Sequence, residues 1–400
     1  MTTNVCKKGF FAMKFDFDKP TDRRNTDSLK WDVKDGELPM WVADMDFETA
    51  PCIKAQIEKI AASGIYGYSI VPNEFFSAVA DYRERRHGYR PDPAHMVYSN
   101  GIVAAISSMV RKLTTPGERV VFQTPVFNLF FNSTLNNGRF PLTSDLVYRE
   151  GRWEMDFDDL EKKLSNPQTS LMILCNPHNP VGRIWTRDEL SRVGSLAKKY
   201  GVTVISDEIH CDLTDPEAKT PFTPFSAASD ECREVAVTCV AASKSFNLAG
   251  LQSACLIIDD PVLRHKVWRG VNTDEVGEPN IFAMRANIAA FTEGDEWLDC
   301  LREYLFENRR VAERFIAERL PGLRVTSAEA TYLMWIDISD YSDDSVSFTE
   351  KLRELTGLYL SEGEEYGECG KSFVRLNLAT QRARLLDGLY RLERGIKELQ

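Results

Sequence analysis

The chain reads as an α/β protein joined to a smaller α+β layer, and three observations predict this. Short apolar, β-branched runs alternate with amphipathic stretches through the middle of the sequence. One of those stretches carries a full set of helix start and stop signals. The final third changes character, with long helical patterns around brief strands. Strand and helix alternating in that rhythm argue for a sheet covered on both faces.

The elements follow in order. Arg119–Phe122, Leu171–Cys175, Val202–Ser206, Val235–Ala241 and Ala254–Ile258 read as buried strands. Between the second and third, Thr186 and Glu189 form a capping box. Leu190, Val193, Leu196 and Ala197 make an apolar stripe, and Gly201 ends the helix. Trp297 to Leu320 is a long helical pattern stopped by Pro321-Gly322. Strands are expected around Leu323–Thr326 and Tyr332–Ile338. A last helix carries Leu385, Leu386, Leu389, Leu392, Ile396 and Leu399. This places a domain boundary near residue 285: a large α/β domain over 46–284, and a small α+β domain over 285–400 to which residues 1–45 return.

Four hundred residues with 43% hydrophobic content suffice for a large core. The 49 basic and 60 acidic residues give a formal charge of −11 without a basic stripe, which argues against nucleic acid or anionic membrane as partner. Met1 to Lys8 lead into no long apolar segment, and the longest apolar runs are far too short to span a bilayer. The nine cysteines are scattered, with no C-x-x-C pair, so neither a disulfide framework nor a metal site is expected. A soluble cytoplasmic protein is the expectation.

Three of the strands lead into polar segments. Asn176-Pro-His-Asn179-Pro180 follows the first, Asp207-Glu208-Ile-His210 the second and Ser243-Lys244 the third. Ligands of open α/β sheets bind at the carboxyl ends of strands, so these groups converge on one crevice. A lysine emerging there loses solvation, which moves its pKa toward the neutral, nucleophilic amine. Together, an amide, a carboxylate and a lysine match the needs of pyridoxal phosphate: covalent attachment, a partner for the pyridine nitrogen and a donor to the phenolic oxygen.

Several strings carry a family resemblance: residues 38–47, 66–68, 176–182, 206–210, 243–251, 294–298 and 373–377. From about residue 22 onward the chain resembles the fold-type I pyridoxal-phosphate enzymes, the class I/II aminotransferase superfamily. It is most similar to the carbon–sulfur β-lyase branch, the cystathionine β-lyases of the maltose-regulon-modulator type. The resemblance implies a large domain with a mostly parallel seven-stranded sheet and an enzyme that eliminates a thiol from cystathionine or a related S-substituted cysteine. Lys244 then resembles the cofactor-attachment residue and α-proton base, and Asp207 the partner of the pyridine nitrogen. Asn179 resembles the residue that binds the phenolic oxygen and the substrate carboxylate. Phe127 takes the place of the stacking aromatic ring, without the hydroxyl many relatives carry.

His210 occupies a position near the cofactor, and Val103, Ala104 and Ser243 match the phosphate cradle. Tyr68 resembles a tyrosine that reaches the phosphate of a neighbouring subunit, which implies a homodimer. Arg375 resembles the clamp on the substrate α-carboxylate, where a planar fork binds with two bonds. Ala43 lies where a main-chain group approaches that carboxylate. Two departures stand out: Gln252 where many aminotransferases have an arginine, and Leu378–Arg382 where relatives carry Cys-Pro. An aminotransferase, and a regulatory protein that binds a transcription factor, are the alternative expectations.

Overall fold

A computed structural model describes residues 15–399. The Met1–Lys8 segment read as lacking an apolar leader, and Cys6, lie outside the described residues. The main sheet has seven strands, in the order Met96–Ser99, Ala254–Ile257, Ala236–Val240, Thr203–Asp207, Thr169–Cys175, Arg119–Thr124 and Phe140–Asp145. Ala254–Ile257 runs antiparallel to both its neighbours, and the other pairings are parallel. The five strands read from the sequence all occur in it. The other two form its edges, and their sequences explain why they are hard to read: one is four residues long, and Phe140–Asp145 contains Pro141, which edge strands tolerate.

Burial on both faces accounts for the continuous apolar runs. Along Thr169–Cys175, Leu171, Ile173 and Cys175 pack in one layer with Ile106 and Met109, while Met172 and Leu174 pack in the other with Leu190 and Val193. Successive side chains point to opposite faces, so a strand covered on both sides needs apolar residues at every position.

The helix Arg187–Tyr200 begins at the anticipated capping box. Thr186 Oγ1 accepts from the Glu189 amide, and Glu189 Oε2 accepts from the Thr186 amide at 2.7 Å. Thr186→Ala is expected to cost about 1 kcal/mol in chemical denaturation. Because the helix lies away from the site described below, turnover should be unchanged; a large kinetic effect would show that this helix end governs the site.

The second sheet is antiparallel, in the order Arg324–Val325, Leu333–Asp337, Phe373–Asn377 and Ser361–Glu362. Its Met334, Ile336, Val374 and Leu376 pack against Leu385, Leu389 and Leu392 of the Arg382–Leu399 helix and Phe315 and Ile316 of the Asp295–Arg319 helix. Leu38–Pro39 pairs in parallel with Leu358–Tyr359, and Trp31, Leu38 and Met40 pack with the core of this layer. No helix among the described residues is long and apolar enough to cross a membrane.

Candidate active site

Register builds the site. Cys175, Asp207 and Cys239 lie opposite one another on three adjacent parallel strands, so the segments that follow leave the sheet at one level. They open onto a cavity of about 520 Å³. Of the residues singled out from the sequence, Ala43, Val103, Ala104, Phe127, Asn179, Asp207, His210, Ser243 and Lys244 line it. Arg375 sits directly behind, buried, with Nη1 3.4 Å from Asn179 Oδ1 and Nη2 donating to the Trp41 carbonyl at 2.8 Å. Tyr68 does not line the cavity and is fully exposed.

The two neighbouring carboxylates Asp207 and Glu208 have opposite fates. Glu208 turns into the core, where Arg83 Nη2 donates to it at 2.5 Å and Ser206 Oγ and the Phe225 amide bond its other oxygen. Asp207 faces the cavity and accepts from the Ile209 amide at 3.1 Å. Burial raises its carboxyl to about 7, against the pull of the Ile209 N–H and of Lys244. A cationic ring nitrogen placed beside it would reverse that direction, because opposite charge favours the ionised form.

Lys244 lies deep in the protein yet keeps part of its surface open to the cavity. Its Nζ donates to the Ala43 carbonyl at 2.6 Å. Burial first, then the Arg375 charge, lowers its pKa to about 8, opposed by Asp44 and Asp207. The next residue, Ser245, is buried and donates to Asp212 at 2.8 Å, and Asp212 also meets His87 Nε2 at 2.9 Å. His210 is buried and held neutral, its pKa lowered to about 3 by burial and by Lys244 and Arg375. Its Nδ1 is buried and has no hydrogen-bond partner among the described residues.

Opposite Lys244, the helix Ile102–Leu113 begins at Gly101, whose φ of 101° requires glycine. No side chain caps that terminus, so the amides of Val103 and Ala104 stay free to receive an anion. Gln252, in a left-handed conformation, lines the same end of the cavity.

Several contributors were not singled out from the sequence. Asn377 Nδ2 donates to the Val42 and Asp44 carbonyls, and Asn247 bonds the Met45 and Phe47 backbone from the other side. Asp46 is fixed by Lys30 and Trp31. The 41–47 segment is thus clamped from three directions, which holds Ala43 against Lys244. Tyr332, which begins an apolar strand, gives its hydroxyl to the same Ala43 carbonyl at 2.9 Å. Asn247 offered one signal, its tolerance of positive φ in a Ser-Phe-Asn-Leu turn; it adopts φ 56°. Tyr332 offered none, because an aromatic entering a buried strand reads as core.

The chain matches the family described as aminotransferase class I and II over residues 39–391. Cystathionine beta-lyase PatB of Bacillus subtilis (strain 168) is 40% identical over 387 residues, which span 95% of this chain and 99% of that protein. Protein MalY of Escherichia coli (strain K12) is 33% identical over 394 residues, 96% and 100% of the two chains. Among solved structures, cystalysin from Treponema denticola contains a pyridoxal 5'-phosphate cofactor. It superposes with a TM-score of 0.92 at 29% identity, over 97% of this chain and all of that one.

The residues present fit such a group. The uncapped helix terminus suits its phosphate, the buried carboxyl of Asp207 its ring nitrogen, and the lysine its aldehyde. With the family match spanning most of the chain and this cavity at its centre, the protein belongs to the class I and II aminotransferase family.

Proposed function

We propose that the chain is a pyridoxal-phosphate-dependent carbon–sulfur β-lyase that converts cystathionine or a related S-substituted cysteine to a thiol, pyruvate and ammonia. The observation that carries this reading is the convergence of Lys244, Asp207, Asn179 and Arg375 on one cavity, in a chain 40% identical to a cystathionine β-lyase. When bound, the cofactor supplies an aldehyde for amino-group exchange and a protonated ring that takes up the electron pair left at the substrate Cα.

Each residue has a role in this reading. The Val103 and Ala104 amides and the Ser243 hydroxyl bind the phosphate. Asp207 keeps the proton on the ring nitrogen, and Phe127 supplies a flat apolar surface against the ring. Asn179 donates to the phenolic oxygen, and His210 stands beside it as a neutral ring. Arg375 and Asn179 hold the substrate α-carboxylate so that the Cα–H bond faces Lys244. Lys244 anchors the cofactor and, once freed by the substrate amino group, accepts the α-proton at Nζ; its pKa, lowered to about 8 by burial and the Arg375 charge, leaves about half of the amine neutral at pH 8. Tyr68 reaches the phosphate of a neighbouring copy in a homodimer, which accords with its complete exposure in the single chain. A cytoplasmic setting accords with the free thiols of the described cysteines.

Incubation of purified protein with cystathionine should release pyruvate continuously, without an added keto acid. Stoichiometric keto-acid exchange with no pyruvate would establish an aminotransferase instead. Arg375→Ala should raise KM for cystathionine about 10²-fold, the loss expected for a charged two-bond clamp, with kcat changed less. An unchanged KM would remove Arg375 from the substrate site.

A further inference from the structure

The Ala43 carbonyl accepts two hydrogen bonds at once, from Lys244 Nζ at 2.6 Å and from Tyr332 Oη at 2.9 Å. Tyr332 is buried and immediately precedes the strand Leu333–Asp337, which the 327–331 loop leads into. There the Glu329 and Ala330 amides bond the Gly182 carbonyl, at a position where any Cβ would lie 2.5 Å from Ala328 Cβ. The tyrosine is therefore held rigidly, and so is the carbonyl it addresses, because Asn377 grips the backbone on either side of Ala43.

We propose that Tyr332 is a positioning residue for the catalytic base: its hydroxyl fixes the Ala43 carbonyl as the resting acceptor for the Lys244 amine when substrate has displaced that amine from the cofactor. This rests on the lyase reading above, in which Lys244 cycles between attachment and base. A freed lysine has four rotatable side-chain bonds, and a fixed acceptor limits that freedom. Sharing the carbonyl between two donors has a second effect. The lone-pair density that Tyr332 draws is not available to an ammonium, so the carbonyl holds a neutral amine without strongly favouring its protonated form.

The other groups acting on this amine are Arg375, which opposes its charge, Asp44 and Asp207, which favour it, and His210, which is neutral. In the proton transfer itself, the Cα–H bond breaks, its electron pair remains with the substrate, and Nζ becomes an ammonium. That ammonium lies within reach of the same carbonyl, a defined place to hold the proton until it is passed on.

The test is Tyr332→Phe, which keeps the ring and removes only the hydroxyl, with Tyr332→Leu as a second hydroxyl-free variant. In the full chain freed of cofactor, the pH dependence of Lys244 acylation by acetic anhydride, followed by peptide mass analysis, reports the amine pKa. Both variants should titrate upward from wild type. The loaded Phe variant should lose about tenfold in kcat with KM within twofold, and the acid limb of its kcat profile should move in the same direction. A Lys244 titration unchanged in both variants overturns the proposal, as does a lower thermal stability with no change in titration or in the KM-against-kcat split, the signature of packing alone. Borohydride reduction of the loaded wild type tests the underlying reading separately: cofactor trapped on a lysine other than Lys244 would remove Lys244 as anchor and base and the role of Tyr332 with it, whereas trapping on Lys244 with an unchanged titration in both variants would overturn the role of Tyr332 alone.

Discussion

Lys244→Ala is expected to abolish β-elimination, lowering kcat/KM by at least ~10⁴-fold, because one side chain performs two tasks. In the proposed reading it anchors the cofactor's aldehyde and accepts the α-proton. Neither task passes to a neighbour: His210, an imidazole with a strongly lowered pKa, is too weak a base, and the Arg375 guanidinium offers no lone pair to attack an aldehyde. The variant should also lose the visible absorbance of the attached cofactor while its far-ultraviolet circular dichroism stays native, since among the described residues Lys244 donates to the Ala43 carbonyl alone. Substantial turnover in this variant would remove the central assignment, whatever the family match.

Asp207→Asn is expected to act in opposite directions on the loaded and the cofactor-free protein. Without cofactor, burial raises the carboxyl from 3.8 to about 7. Between those pH values the native chain holds a proton that the unfolded chain has released, so stability falls as pH rises through that window. Asparagine has the same shape and no charge to desolvate. The cofactor-free variant should therefore be more stable than wild type at pH 8, by up to about 4 kcal/mol, with the gap closing toward pH 4. Loaded, it should lose about 10³-fold in kcat, because a neutral amide cannot hold the ring nitrogen protonated. Wild-type turnover in the variant would reduce Asp207 to the backbone cap that its bond from the Ile209 amide also describes.

Much of this site was legible because its chemistry sits at strand ends. Asn179, Asp207 and Lys244 each follow an apolar run, and parallel pairing brings such positions together without help from distant contacts. The strands themselves were legible for the related reason that burial on both faces leaves a continuous apolar signature. What was hidden depends on contacts across long stretches of chain. Asn377 and Asn247 hold the 41–47 segment from two different layers, and neither a strand-end nor a turn asparagine reveals a distant backbone partner by type or spacing. Tyr332 donates to a carbonyl almost three hundred residues earlier, and a backbone acceptor leaves no mark in a sequence. The pairing of Glu208 with Arg83 was hidden as well: the sequence shows two adjacent carboxylates, and only the fold separates the one that faces the cavity from the one neutralised in the core.

The shared register of Cys175, Asp207 and Cys239 bears on how the protein acquires its activity. The groups in the cavity come from several separate segments, among them those after three adjacent strands, and no local stretch of chain contains a working fragment of the site. Parallel strands are joined by long crossover connections, and such non-local pairings form slowly. A nascent or truncated chain ending before the Ala254–Ile257 strand lacks the antiparallel partner that covers Ala236–Val240, the strand leading to Lys244. Recovery of cofactor binding during refolding should therefore report completion of the whole sheet.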